Sequence, residues 1–160
     1  MTLALFYPTK GGNTASVASA YFRIHIRADS NDDGAQAVKY LVRDAIVEYL
    51  TPLVAQYTTK EEATAGVEAH LSNIKYIAEY VLEQNGYTYG ATASVREETF
   101  PVRVYENCTL PAGEYSALIV NLGSGKGDNW WCVVYPPLCF TATEDVVYKS
   151  KILEIIRNFS

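Results

Sequence analysis

Three thiols, two imidazoles and one lysine in a glycine-rich loop are the groups in this chain best suited to chemistry. Cys132 and Cys139 flank Pro136-Pro137, Cys108 lies upstream, and His25 and His70 are remote in sequence. A thiolate nucleophile needs a base beside it, so an enzyme built from these groups would pair Cys132 with His25. Zinc needs ligands grouped at short spacing, and two cysteines with scattered histidines match no usual pattern. The cysteines can equally be buried thiols acting as small apolar residues.

Other chemistries fail on spacing. A phosphate loop ending at Gly125-Lys126 requires Gly at position 120 and Ser or Thr at 127, but the chain has Val120 and Gly127. Asp29–Gly34 resembles a calcium loop, yet Tyr40 stands where an EF-hand needs Glu, and its acids read better as caps on the following helix. No Gly-x-Ser-x-Gly, His-Glu-x-x-His or dinucleotide fingerprint occurs. No cofactor or metal is expected, and the acidic pairs Glu61-Glu62, Glu97-Glu98 and Glu144-Asp145 read as solvated helix starts and turns.

The elements that must position these groups follow from periodicity. Tyr115–Leu122 is apolar on both alternating faces, the pattern of a central strand covered on both sides. Gly123–Asn129 is a flexible connection, and Trp130–Tyr135 is a second β-prone run, giving a hairpin with a long loop whose tip is the functional position. Adjacent strand residues face opposite ways, so at least one of Trp130 and Trp131 should be buried. Phe22, Ile24 and Ile26 alternate with Arg23, His25 and Arg27, predicting a strand with one core face and one cationic face.

From Ala35 to about Tyr57 the apolar residues Val38, Leu41, Val42, Ala45, Ile46, Tyr49, Leu50 and Leu53 recur at helical spacing, with a kink or break expected near Pro52. Thr59–Glu62 is a capping box opening a second helix that ends at Asn85-Gly86. His70 on that helix reads as a surface residue. Tyr87–Glu106 reads as β structure interrupted at Pro101. The sum is an α+β fold, a single domain with a largely antiparallel sheet and two antiparallel helices packed on one face. Residues 1–20 read as a flexible tail, 21–140 as the domain, and 141–160 as an extension forming a helix or a strand.

At 160 residues and 49% hydrophobic composition the chain can bury a real core. A net charge of −5 argues against nucleic-acid binding. No stretch reaches the roughly 18 apolar residues of a membrane span. Leu3–Tyr7 is a short apolar run ended by Pro8, with no basic region before it, so no signal peptide is legible.

The run TLPAGEYSALIV followed by GKGDNWWCVVYPPLCF, ending at Phe140, resembles the signature of the stage II sporulation protein R family of spore-forming Gram-positive bacteria. FRIHIRADS (Phe22–Ser30) and AVKYLVRDAIVEYL (Ala37–Leu50) agree with it in order and spacing, so the resemblance covers about residues 21–140. The resemblance implies a hydrophobic export segment ahead of the FRIHIRA-like strand, and none is legible in residues 1–20.

The resemblance implies a secreted signal, made in the forespore and moved into the space between forespore and mother-cell membranes. There it activates a membrane-bound aspartic protease of the mother cell, which releases an early mother-cell sigma factor from its precursor. On that reading the chain is a ligand and not an enzyme. Work outside the cytoplasm implies a Cys132–Cys139 disulfide, leaving Cys108 free. The contact surface expected is Lys126, Asp128, Asn129, Trp130 and Trp131, because exposed aromatics anchor interfaces, with Arg23 and Arg27 as a second patch. The readings from other classes are a thiol-dependent or hydrolytic enzyme using Cys132 and a structural envelope domain.

Overall fold

In a computed structural model, which describes residues 17–106 and 108–140, the strand Phe22–Arg27 (β1) lies inside a sheet and not at its margin. The other strands are Ala91–Phe100 (β2), Arg103–Tyr105 (β3), Cys108–Leu110 (β4), Gly113–Leu122 (β5) and Asn129–Tyr135 (β6). The main sheet has four strands in the order β2-β5-β1-β6. β1 runs parallel to β5 and antiparallel to β6, and β2 is antiparallel to β5. β3 and β4 form a separate antiparallel ribbon. This is the α+β class with a mixed, mostly antiparallel sheet.

The expected hairpin is therefore corrected. β1 separates β5 from β6, so residues 123–128 do not close a turn between neighbours. They straddle the C-terminal exit of β1, a gap of about two strand spacings, or roughly 10 Å. That span explains the length of the connection. The covered nature of β5 is as its sequence predicts: Ala117 and Ile119 are buried on one face, Leu118, Val120 and Leu122 on the other.

Among the described residues three full helices cover one face of the sheet, where two were expected: Asp33–Val54 (α1), Lys60–Glu68 (α2) and Leu71–Gln84 (α3). Asp32 caps α1, its carboxylate accepting from the Ala35 amide at 2.8 Å. The helix passes through Pro52 and ends at Val54, so the proline falls in its last turn, where little helix remains to break. Thr59 caps α2 by accepting from the Glu62 amide at 3.0 Å, and the Glu62 carboxylate reaches back to the Thr58 amide at 2.8 Å, a capping box displaced by one residue. The stripe expected as one second helix is broken at Ala69-His70. His70, half-buried, is bonded to the Tyr49 hydroxyl at 2.7 Å.

Phe22, Ile24 and Ile26 meet the helices in the main core with Leu118, Val120, Val42, Ile46 and Ile77. The opposite face of β1 is also covered. Tyr21, Phe100, Leu110, Tyr115, Ile119 and Val133 form a second core there, completed by the β3–β4 ribbon and by Ala18 in the helical stretch just before β1. The cationic face expected on β1 is therefore covered, with His25 and Arg27 paired to Glu98 and Arg23 fully buried, so Arg23 offers no accessible patch. Residues 17–20 also pack on this core instead of trailing from it; positions 1–16 and 141–160, with the tail and extension expectations, lie outside the described residues. No helix among the described residues is long and apolar enough to cross a membrane.

Candidate partner-binding surface

Because the 123–128 connection crosses the end of β1, its polar backbone finds partners in the β1–α1 segment. The Ser124 amide donates to the Asp29 carboxylate at 2.7 Å and its hydroxyl to the Asp29 carbonyl at 2.8 Å. The Gly127 amide donates to the Ala28 carbonyl at 2.8 Å, and the Asp128 amide to the Asn31 side chain at 2.6 Å. Lys39, buried on α1, donates to the Asp128 carbonyl at 3.2 Å. The expected flexible connection is thus a loop stitched down at several points, with Gly123 and Gly125 at φ 57° and 67° allowing its turns. Lys126, Asp128 and Asn129 remain exposed on it.

The tryptophans that follow project to opposite sides of β6, which is a sheet edge among the described residues. Both are half-buried; neither is sealed, contrary to the expectation that one would be. The edge position explains this, since a side chain on the last strand has a neighbour on one flank only. Trp130 lies on the helix side, with the Arg43 guanidinium 5.6 Å from its ring. Trp131 lies on the ribbon side, with Arg103 stacked on it at 4.4 Å and His25 at 5.1 Å between ring centroids.

Sequence reasoning missed the continuation of this surface onto α1. Lys39 and Arg43 both stack on the ring of Tyr40, at 4.5 and 4.8 Å, and Arg43 links it to Trp130. Tyr40 and Leu41 are 40% and 47% exposed, so Leu41 leaves the core stripe to which its spacing assigned it. A groove of about 420 Å³ between α1 and β6 is lined by Arg43, Asp44, Val47, Glu48, Trp130 and Cys139. The adjacent apolar pair Tyr40-Leu41 was the available signal: a helix cannot bury both alongside Val38 and Val42.

Arg23 and Arg27 part company. Arg23 is fully buried, its guanidinium 4.2 Å from Phe100 and 4.4 Å from Tyr115, with Nη2 donating to the Tyr105 hydroxyl at 2.9 Å. It is no part of an accessible patch. Arg27, half-buried, pairs with Glu98 at 2.7 Å, which Arg96 also approaches at 3.4 Å. His25 contacts the other oxygen of Glu98 through Nδ1. Burial holds the His25 pKa below its ordinary value, against the opposing pull of Asn129 and Glu98, so at neutral pH the imidazole donates to Glu98 uncharged. The Asn129 amide acts on the ring without reaching good hydrogen-bond geometry at Nε2.

Cys132 and Cys139 are joined in a disulfide, and Cys108 is a free, buried thiol whose pKa burial pushes up. The pairing of Cys132 with His25 is not assembled. Cys132 sits opposite Ile24 and faces the helices, whereas His25 faces the ribbon, and a bridged sulfur has no thiolate to offer. Among the described residues no group of three or more His, Cys, Asp and Glu side chains could hold a metal ion.

The family model described as Stage II sporulation protein R matches residues 18–145. Stage II sporulation protein R of Bacillus subtilis (strain 168) is 40% identical over 118 residues, which are 74% of this chain and 53% of that protein. The chain thus spans about half the length of the curated relative it matches. No solved structure matches.

Proposed function

This chain belongs to the stage II sporulation protein R family, and on that premise we propose that it is an extracytoplasmic sporulation signal that activates a membrane-bound aspartic protease of the mother cell. The protease in turn processes the precursor of an early mother-cell sigma factor. The chain acts as a ligand through Lys126, Asp128, Asn129, Trp130 and Trp131. The observation that supports this is the loop at residues 123–128, held by hydrogen bonds so that exposed polar side chains stand beside two half-exposed indoles. A preordered loop loses little conformational entropy on binding, and tryptophan contributes more per residue to interfaces than other side chains. The disulfide agrees with an oxidising compartment.

The test is processing of the sigma precursor by the protease, reconstituted with wild-type chain and with Trp130→Ala or Trp131→Ala. Trp130→Ala should reduce the apparent affinity for the protease by about thirtyfold and Trp131→Ala by a smaller factor, while circular dichroism stays unchanged. Equal processing with and without the wild-type chain overturns the reading.

A further inference from the structure

Arg23 presents an unbalanced charge. Among the described residues it makes no ion pair, and it is fully buried. Tyr105 takes one hydrogen bond from Nη2, but Nε and Nη1 are buried without an acceptor. Stacking on Phe100 and Tyr115 offsets part of the desolvation cost, and the Tyr115 hydroxyl lies close enough to interact with the guanidinium, yet the charge is permanent and neither Nε nor Nη1 makes a hydrogen bond. The nearby Trp131 indole N–H is buried and unpartnered as well. Phe100 touches both groups, with its ring centroid 6.4 Å from that of Trp131.

The unsatisfied groups of Arg23 and Trp131 are all donors; the buried ring nitrogen Nε2 of His25 on this face also has no partner and so serves none of them, and the carboxylate on this face, Glu98, is already taken by His25, Arg27 and Arg96. A buried arginine without a counter-ion carries a cost that an apolar residue of similar volume would avoid. The cluster borders solvent through Tyr105 and Trp131, both half-buried, and exposed Arg103 stacked over Trp131. An anion can therefore arrive by displacing side chains, with no strand of the main sheet parting.

We propose that Arg23 is the receptor for a carboxylate that enters between the sheet and the β3–β4 ribbon, with the Trp131 indole N–H as a neighbouring donor. Planar carboxylate matches the guanidinium fork. Its source is either a small free acid or an acidic group carried by a polypeptide, and the two are separated by experiment. The inference stands independently of the protease reading, because it concerns binding by the isolated chain.

Purified chain is titrated with sodium acetate against sodium chloride at equal ionic strength, following melting temperature, tryptophan emission and the ¹⁵N resonance of the Arg23 Nε. A second arm uses a short peptide without acidic side chains, with its C-terminus free or amidated. Carboxylate should raise the melting temperature by roughly 2–4 °C over chloride and shift the Nε resonance. Acetate activity identifies a free acid; a response to the free-ended peptide alone identifies a polypeptide-borne group. Arg23→Met should abolish the carboxylate-specific rise while melting no lower than wild type. No carboxylate-specific movement of the wild-type Nε resonance in either arm overturns the proposal, as does an Arg23→Met chain that keeps the full rise; the first readout needs no variant to fold.

Discussion

His25 shows what covering the second face of β1 does to a single side chain. Its pKa is lowered in the fold, so the unfolded chain binds the proton more tightly. The contribution is fully present above the ordinary value of about 6.5 and is lost as pH falls from there through the lowered folded value. Urea midpoints for wild type should therefore drop between pH 7 and pH 5, and His25→Asn, which keeps a donor for Glu98 without a titrating ring, should flatten that slope. An unchanged slope would mean other groups govern it. Gly127 makes a steric prediction. A Cβ there would run into the Ser30 backbone, which cannot swing away as a side-chain tip can, so Gly127→Ala should cost roughly 1–3 kcal/mol by denaturant unfolding. None of this was legible residue by residue. Alternation placed Arg23, His25 and Arg27 on one face correctly, but whether that face meets water depends on a ribbon some 80 positions later in the chain, as the Arg23–Tyr105 separation of 82 illustrates.

At the scale of elements, local signals read well and pairing partners did not. The Asp32 cap, the Thr59 box and the covered pattern of β5 each depend on a few neighbouring residues, and all are realised. Thr59→Ala should accordingly cost about 1 kcal/mol by removing the acceptor for the Glu62 amide, measured by thermal or urea unfolding. The sheet order escaped sequence reasoning because β5 and β6 are adjacent in sequence and joined by a glycine-rich loop, the usual mark of a hairpin. β1 lies between them with its apolar face on the helices and its Arg23–His25–Arg27 face under the β3–β4 ribbon, a cover visible only once the ribbon is known. The disulfide closes a short loop at the end of β6. Reduction should cost about 2–3 kcal/mol in urea unfolding while leaving the native circular dichroism signal intact. A reduced chain as stable as the oxidised one would count against any structural role for the bridge.

The molecule as a whole has an edge strand with one indole on each side, and this determines which surface a partner can cover. On the ribbon side Trp131 is capped by Arg103, and the next residue of β3, Val104, is 76% exposed. On the helix side the loop, Lys39, Tyr40, Arg43 and Trp130 form one continuous run: Lys39 donates to the Asp128 carbonyl, and stacking carries the contact from Tyr40 through Arg43 to the indole. That side joins Lys126, Asp128 and Asn129 to a groove deep enough to receive an apolar side chain, and exposed Tyr40 and Leu41 extend it. The helix side is therefore the main footprint of the proposed partner, with Trp131 contributing at its margin. Leu41→Asp and Val104→Asp separate the two faces, because both residues are exposed and each change should alter stability by less than about 0.5 kcal/mol. Leu41→Asp should weaken activation of sigma-precursor processing by tenfold or more, about 1.4 kcal/mol, by placing a charge against the partner's apolar surface, while Val104→Asp leaves it unchanged. The reverse pattern would move the footprint to the ribbon, beside Arg23, and would make the partner itself the first place to look for the carboxylate that residue lacks.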